Sequence, residues 1–122
     1  MTKRYDLEDR LIRFACSCIY VAERLPHDKG GQVLEHQLVR SATASALNYG
    51  KAQAAESRAD FLHKIRLTLR EIRESRVALK IILAKPYLAN ELAQNALNES
   101  NELMAIFMQS VKTSTSKMNK PT

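Results

Sequence analysis

Apolar side chains recur at alternating spacings of four and three residues through four stretches of this 122-residue chain. In the first stretch this spacing connects Leu7, Leu11, Phe14, Cys18, Val21 and Leu25. An α-helix turns once about every 3.6 residues, so side chains at these spacings share one face, whereas a strand requires strict alternation. The pattern therefore predicts an all-α protein in which every helix buries the face that carries its seam.

Capping residues, prolines and the ends of the seams set the boundaries of the four predicted helices. The predicted ranges are about 6–25, 32–54, 58–84 and 88–113. Because the connections are short, consecutive helices should run antiparallel, which predicts an up-down-up-down four-helix bundle as a single domain over 1–113. The remaining residues, 114–122, are rich in Ser, Thr and Lys and are predicted to be a disordered tail.

The second predicted helix has an unusually polar seam. Ser41, Ser45 and Asn48 occupy seam positions, and Gln37 and Arg40 lie beside them. Buried hydroxyl and amide groups must find hydrogen-bond partners. We favour a structural interpretation, in which these groups bond across helices and fix their register. The alternative is a polar groove that contacts a partner.

Positive charge is concentrated in the third predicted helix. The chain carries a net charge of +6, and residues 57–85 alone hold eight basic and three acidic residues, a balance of +5. Six of these bases should form a stripe beside the apolar seam: Lys64, Arg66, Arg70, Arg73, Arg76 and Lys80. Such a stripe suits successive phosphates of structured RNA. With four Tyr, three Phe and no Trp, we expect backbone recognition rather than base stacking. A solvated face and salt bridges between subunits are the alternatives.

The segment from Gln37 to Asn48 reads QLVRSATASALN. It resembles the signature of four-helix-bundle proteins encoded by intervening sequences in bacterial 23S ribosomal RNA genes. Leu25-Pro26 and Asp60-Phe61 resemble further elements of that family, and the similarity covers about residues 5–110. The resemblance implies a bundle that assembles as a ring, often a pentamer, with no established catalytic activity. One position departs from the family, because Lys51 stands where a Glu is usual.

Patterns for catalysis and for metal binding are weak. Arg58 and His63 have the spacing of some helical ribonucleases, but ten Arg and three His make a chance match unremarkable. Neither His27 nor His36 lies at ligand spacing from a Cys or a carboxylate, no Glu-x-x-His pair occurs, and no phosphate-binding glycine loop is present, so neither a metal nor a cofactor is expected. Cys16 and Cys18 point apart on a helix and indicate reduced thiols.

No apolar run approaches the length of a bilayer span, and the charged N-terminus is unlike a secretory signal. We therefore expect a cytoplasmic protein that does not enter membranes. Four apolar residues fall outside the main seams and favour self-association: Ile12, Ile19, Leu47 and Leu83. Scattered apolar side chains on the surface of a monomer are the alternative.

Together these observations predict a non-enzymatic homo-oligomer that binds structured RNA or a ribonucleoprotein through the basic stripe. A protein-interaction scaffold without nucleic-acid binding is the alternative, and a ribonuclease using Arg58 and His63 is a distant third.

Overall fold

The computed structural model describes residues 3–87 and 91–119, with side chains from Leu7 onward. It contains four helices, α1 (Lys3–Glu23), α2 (Lys29–Gln53), α3 (Arg58–Ala84) and α4 (Glu91–Met118). The described residues contain no strand. The predicted all-α, four-helix fold is therefore confirmed.

The helices form a closed bundle. α1 packs on α2, α2 on α3, and α3 on α4, while a smaller contact between α4 and α1 closes the ring of neighbours. The buried interior contains the side chains expected from the apolar seams: Leu11, Phe14, Cys18, Leu38, Ile65, Ile72, Leu79, Leu103 and Phe107. Because consecutive helices are neighbours, α1 and α3 lie diagonally across the bundle. No described helix has the length and apolar character needed to cross a membrane.

The first two helices start and end a few residues from their predicted boundaries. α1 ends at Glu23 instead of residue 25, because Arg24 and Leu25 form a tightened last turn with hydrogen bonds to the carbonyls three residues earlier. α2 begins at Lys29 instead of residue 32. Its N-cap is Asp28, whose carboxylate accepts a hydrogen bond from the Gly31 amide at 2.8 Å.

The fourth helix is longer than the sequence pattern indicates. It continues to Met118, so residues 114–118, which the sequence predicts to be disordered, are helical. Ser114 and Thr115 are half-buried there, and Ser114 lies beside Phe61 at the start of α3. Partial burial against α3 thus extends the helix past the end of its apolar seam. The predicted start at residue 88 lies outside the described residues.

Two helical glycines of α2 have opposite surroundings. A Cβ at Gly31 would lie 1.9 Å from the carbonyl oxygen of Pro26. The Pro26 carbonyl can therefore lie this close to α2 only because residue 31 has no side chain. A Cβ at Gly50 would meet nothing within 4 Å. Within the protomer, Gly50 therefore destabilises α2 without relieving any close contact.

We expect Gly50→Ala to raise the free energy of unfolding by about 0.5–1 kcal/mol, because alanine loses less backbone entropy in a helix. Urea denaturation followed by circular dichroism measures this change. Gly31→Ala is the matched control and should lower stability through its clash with Pro26. A Gly50→Ala variant that is less stable than the parent would show that another surface covers this part of α2.

Candidate nucleic-acid interface

Four basic side chains of α3 share its exposed face. Arg66, Arg70, Arg73 and Lys80 are exposed and make no hydrogen bond or ion pair with any described residue. At 100° per residue they fall within an arc of about 80°, and at 1.5 Å per residue they extend about 21 Å along the helix. These four residues, called here the cationic face, form one solvent-facing row.

The other two predicted bases point elsewhere. Lys64 lies about 160° around the helix from Arg66, and its Nζ donates to Asp60 Oδ1 at 3.1 Å. Arg76 is half-buried, and its Nε donates to Asn101 Oδ1 of α4 at 2.6 Å. The structure thus brings together four of the six predicted residues and separates Lys64 and Arg76 from them, because the spacing of the six does not confine them to one face.

Serine hydroxyls join α2 to α3 inside the bundle. Ser41 Oγ and Ser75 Oγ are 2.7 Å apart. Each hydroxyl also has an acceptor in its own helix: the carbonyl oxygen of Glu71 is 2.9 Å from Ser75 Oγ, and that of Leu38 is 3.4 Å from Ser41 Oγ, so either serine can donate to the other. Ser45 Oγ donates within its own helix, to the carbonyl oxygen of Ala42 at 2.7 Å. The small serine side chains place the two helices in close contact with every buried hydroxyl partnered.

Arg40 connects the same two helices at the surface. Its Nη1 donates to Glu71 Oε1 at 3.3 Å, its Nη2 donates to Glu74, and both Nε and Nη2 lie 3.4 Å from Gln37 Oε1. The side chain of Glu71 is only 11% exposed, whereas that of Glu74 is 46% exposed. The hydrogen bond with Glu74 is the main reason that the pKa of Arg40 is raised.

The remaining predicted polar residues of α2 do not join this network. Asn48 is half-buried and makes no hydrogen bond with a described residue. Lys51, which replaces the family's usual Glu, is exposed in the last turn of α2. A cation there interacts favourably with the negative end of the helix dipole.

Several partners of these residues have no signal in the sequence. Glu71, Glu74 and Ser75 were not predicted as partners of α2, because the register between two helices is a tertiary property. The bidentate pair between Arg10 of α1 and Glu99 of α4 was also missed. Its two N–O distances are 3.0 and 2.7 Å, and the hydrogen bond to Glu99 is the main reason that the pKa of Arg10 is raised.

The structure does not bring together Arg58 and His63, the two residues that the sequence suggested as a ribonuclease site. Arg58 and His63 are both exposed on α3, but five positions along a helix place them about 140° apart. Among the described residues, no group of three His, Cys, Asp or Glu side chains could hold a metal ion. Both cysteines are free thiols, and burial raises the pKa of Cys18 to about 12.

Comparisons with known proteins agree with this architecture. The family described as 23S rRNA-intervening sequence protein matches residues 3–109. A crystal structure of a protein of unknown function from the S23 ribosomal protein family of Bacteroides thetaiotaomicron is similar, with a TM-score of 0.81 and 26% sequence identity. The similarity covers 91% of this chain and 99% of that chain. No curated protein matches the sequence.

We expect Arg40→Met to lower the free energy of unfolding by about 1–3 kcal/mol, because the largely buried Glu71 carboxylate loses its cation. Glu71→Gln in the same chain should recover part of this loss, with a coupling of about 1 kcal/mol in a double-mutant cycle. Gln37→Ala is the control and should change stability by less than about 0.5 kcal/mol. Additive effects of the two substitutions would show that Arg40 and Glu71 do not act as a pair.

The pair of Asp60 with Lys64 makes stability depend on pH. The hydrogen bond from Lys64 is the main cause that lowers the pKa of Asp60. A carboxyl group with a lowered pKa in the folded state stabilises fully above its ordinary pKa and loses this contribution as pH falls through the lowered value. Asp60→Asn should therefore destabilise at neutral pH and converge with the parent protein in acid. Denaturation at a series of pH values measures this, and Lys64→Met should behave in the same way.

Proposed function

The chain belongs to the 23S rRNA-intervening sequence protein family, and from that premise we propose that it is a non-enzymatic, homo-oligomeric protein that binds structured RNA. The cationic face of α3 carries this proposal. It presents Arg66, Arg70, Arg73 and Lys80 on one exposed surface, with no partner among the described residues.

The acidic residues of α3 pair with cations outside the cationic face, so the four positive charges of that face have no counter-charge on their own helix. The helix contains three acidic residues, Asp60, Glu71 and Glu74. Lys64 pairs with Asp60, and Arg40 of α2 pairs with both glutamates. None of the acidic residues is therefore left to pair with the cationic face. A row of uncompensated cations attracts a polyanion and releases its condensed counterions.

The chemistry of the cationic face favours contacts to phosphate and ribose. Three of its four cations are guanidinium groups, which can donate two parallel hydrogen bonds to one phosphate. Exposed Val77 lies among them and exposed Ile81 follows Lys80, and residues 66–81 include no aromatic side chain. Double-stranded RNA is recognised mainly by shape, through its backbone and 2′-hydroxyl groups. We therefore assign structured, double-stranded regions of RNA as the ligand.

Self-association is the second part of the proposal. Several large apolar side chains are exposed on the protomer, including Ile12, Leu47, Val77 and Met108, each at 47% or more. Apolar surface of this kind on a small bundle is typical of packing between subunits. A ring of five subunits is the assembly that the family resemblance implies. Two free thiols fit a reducing, cytoplasmic location.

A protein-interaction scaffold is the second candidate, and the same exposed apolar residues favour it. It differs from the first candidate in needing no charge on α3. Nuclease-resistant association with a protein, together with unchanged binding after removal of the cationic charges, would favour it.

We expect the purified, nuclease-treated protein to bind an RNA hairpin with an affinity that falls as salt rises. Four phosphate contacts per protomer give a slope of log K against log [salt] between about −3 and −4. The double variant Arg66→Glu, Arg70→Glu should lose about two contacts from this slope and most of the affinity. Fluorescence anisotropy at several salt concentrations measures both quantities.

The matched control is Lys29→Glu, Lys51→Glu, which changes the net charge equally through two exposed bases of α2. Lys64→Met is a second control, because Lys64 is occupied by Asp60. Equal losses in the α2 and α3 variants would mean that only net charge matters, which contradicts a defined interface. Absence of binding at low salt would exclude the RNA-binding proposal.

A further inference from the structure

A groove runs between α3 and the second half of α4. It has a volume of about 860 Å³, within the range of about 300–1,000 Å³ that is typical of sites for small ligands. Leu69, Met108 and Val111 give it an apolar lining, and its charged residues are Arg73 of α3 and Lys112 of α4. None of the described residues that line it is acidic. The groove therefore suits a ligand in which an apolar body is joined to an anion.

Neutral polar side chains complete the lining of the groove. Gln109, Thr115, Ser116 and Asn119 lie along α4 beside the apolar residues. Amide and hydroxyl groups can both donate and accept hydrogen bonds. An aliphatic anion such as a fatty acid would cover these groups without bonding to them, which is unfavourable. The edge of a nucleobase carries both donors and acceptors, and its flat faces are apolar, so a nucleotide matches all three kinds of lining residue.

Arg73 connects this groove to the proposed RNA-binding surface. It belongs to the cationic face and also lines the groove. Arg70 precedes it by about 4.5 Å along the helix axis, and Leu69 on the wall of the groove lies about 40° from it around the axis. RNA that follows the cationic face therefore passes directly beside the opening of the groove.

From this combination we infer that the groove receives one unpaired nucleotide of the RNA that the cationic face binds. The apolar lining packs against the base, the amide and hydroxyl groups of α4 bond its edge, and Arg73 and Lys112 hold the flanking phosphates. Unpaired bases in bulges and loops are the parts of structured RNA that a protein can surround in this way. The inference rests on the proposed RNA binding and adds the class of RNA, which is a duplex with a bulged nucleotide.

Met108 is 51% exposed and is also one of the apolar residues that favour self-association. An apolar surface of a second subunit packed against it would bury Arg73 and Lys112 without counter-charges, which is costly. A nucleotide brings its own phosphates to these two cations. The inference therefore assigns Met108 to the groove, and the mass of the protein in solution should not depend on it.

The experiment compares three RNA hairpins that have the same stem. The first is fully paired, the second has one unpaired adenosine in the stem, and the third has an abasic residue in place of that adenosine. Fluorescence anisotropy with the nuclease-treated protein gives the affinity for each hairpin. We expect the adenosine bulge to bind about tenfold more tightly than the paired hairpin, because its base enters the groove without the cost of unpairing. The abasic hairpin should bind like the paired one, since it has no base to insert.

Two variants alter the groove and should abolish the preference for the adenosine bulge. Lys112→Met removes the charge on α4, and Met108→Asp places a carboxylate among the apolar residues. Lys117→Met is the matched control for the first, because Lys117 is an exposed base of the same helix that does not line the groove. Val33→Asp is the control for the second, because Val33 is 61% exposed on α2. Both controls should keep the preference.

Light scattering after size-exclusion chromatography gives the mass of the parent and of the two groove variants, which should be equal. A lower mass for Met108→Asp would mean that the groove belongs to a contact between subunits, which contradicts the inference. A preference that persists in both groove variants would place the recognition of the bulge elsewhere on the protein.

The hairpins separate failure of this inference from failure of the proposed function. Equal affinity of the parent for all three would leave RNA binding intact and show that no base enters the groove. Equal affinity for the adenosine and abasic bulges, both above that of the paired hairpin, would show recognition of a bend in the duplex and would also overturn the inference. Absence of binding to any hairpin would exclude the RNA-binding proposal itself, and this inference with it.

Discussion

The contact between α2 and α3 fixes the register of these two helices and, through that register, the distribution of charge on the surface of α3. It is the most extensive helix pair in the bundle, and its centre is the hydrogen bond between Ser41 and Ser75. Two small hydroxyl side chains at facing positions let the helices approach closely. A slide of one helix along the other would separate these hydroxyls and leave them buried without partners. The polar seam therefore fixes a single register where apolar seams alone would tolerate several.

That register has an electrostatic consequence at the surface. It places Arg40 opposite Glu71 and Glu74, so that one guanidinium from α2 engages two acidic residues of α3. With Asp60 held by Lys64, all three acidic residues of α3 are paired with cations that are not part of the cationic face. The exposed pairs of Arg40 with Glu74 and of Lys64 with Asp60 contribute little to stability. Here their larger effect is on charge distribution, because they leave Arg66, Arg70, Arg73 and Lys80 without counter-charges.

The two parts of the proposed function would reinforce each other. Arg66, Arg70, Arg73 and Lys80 are all exposed on the protomer. An assembly of several subunits would repeat this cationic face once per subunit. Multiple weak phosphate contacts in a fixed array would then act together on one RNA through effective concentration.

The amino-acid pattern is enough to specify the four helices, the order in which they pack and the identity of the core. A seam at spacings of four and three specifies helix and a buried face together, so the pattern alone assigns Leu11, Phe14 and Ile72 to the interior, where they lie. It also locates the excess charge on α3. The packing of the helices decides which of those charges remain unpaired. Arg76, for example, donates to Asn101 of α4, and no local sequence pattern encodes the relative rotation of α3 and α4 that brings the two residues together. The helical extension to Met118 has the same origin, since it depends on burial against α3 and not on its own polar sequence.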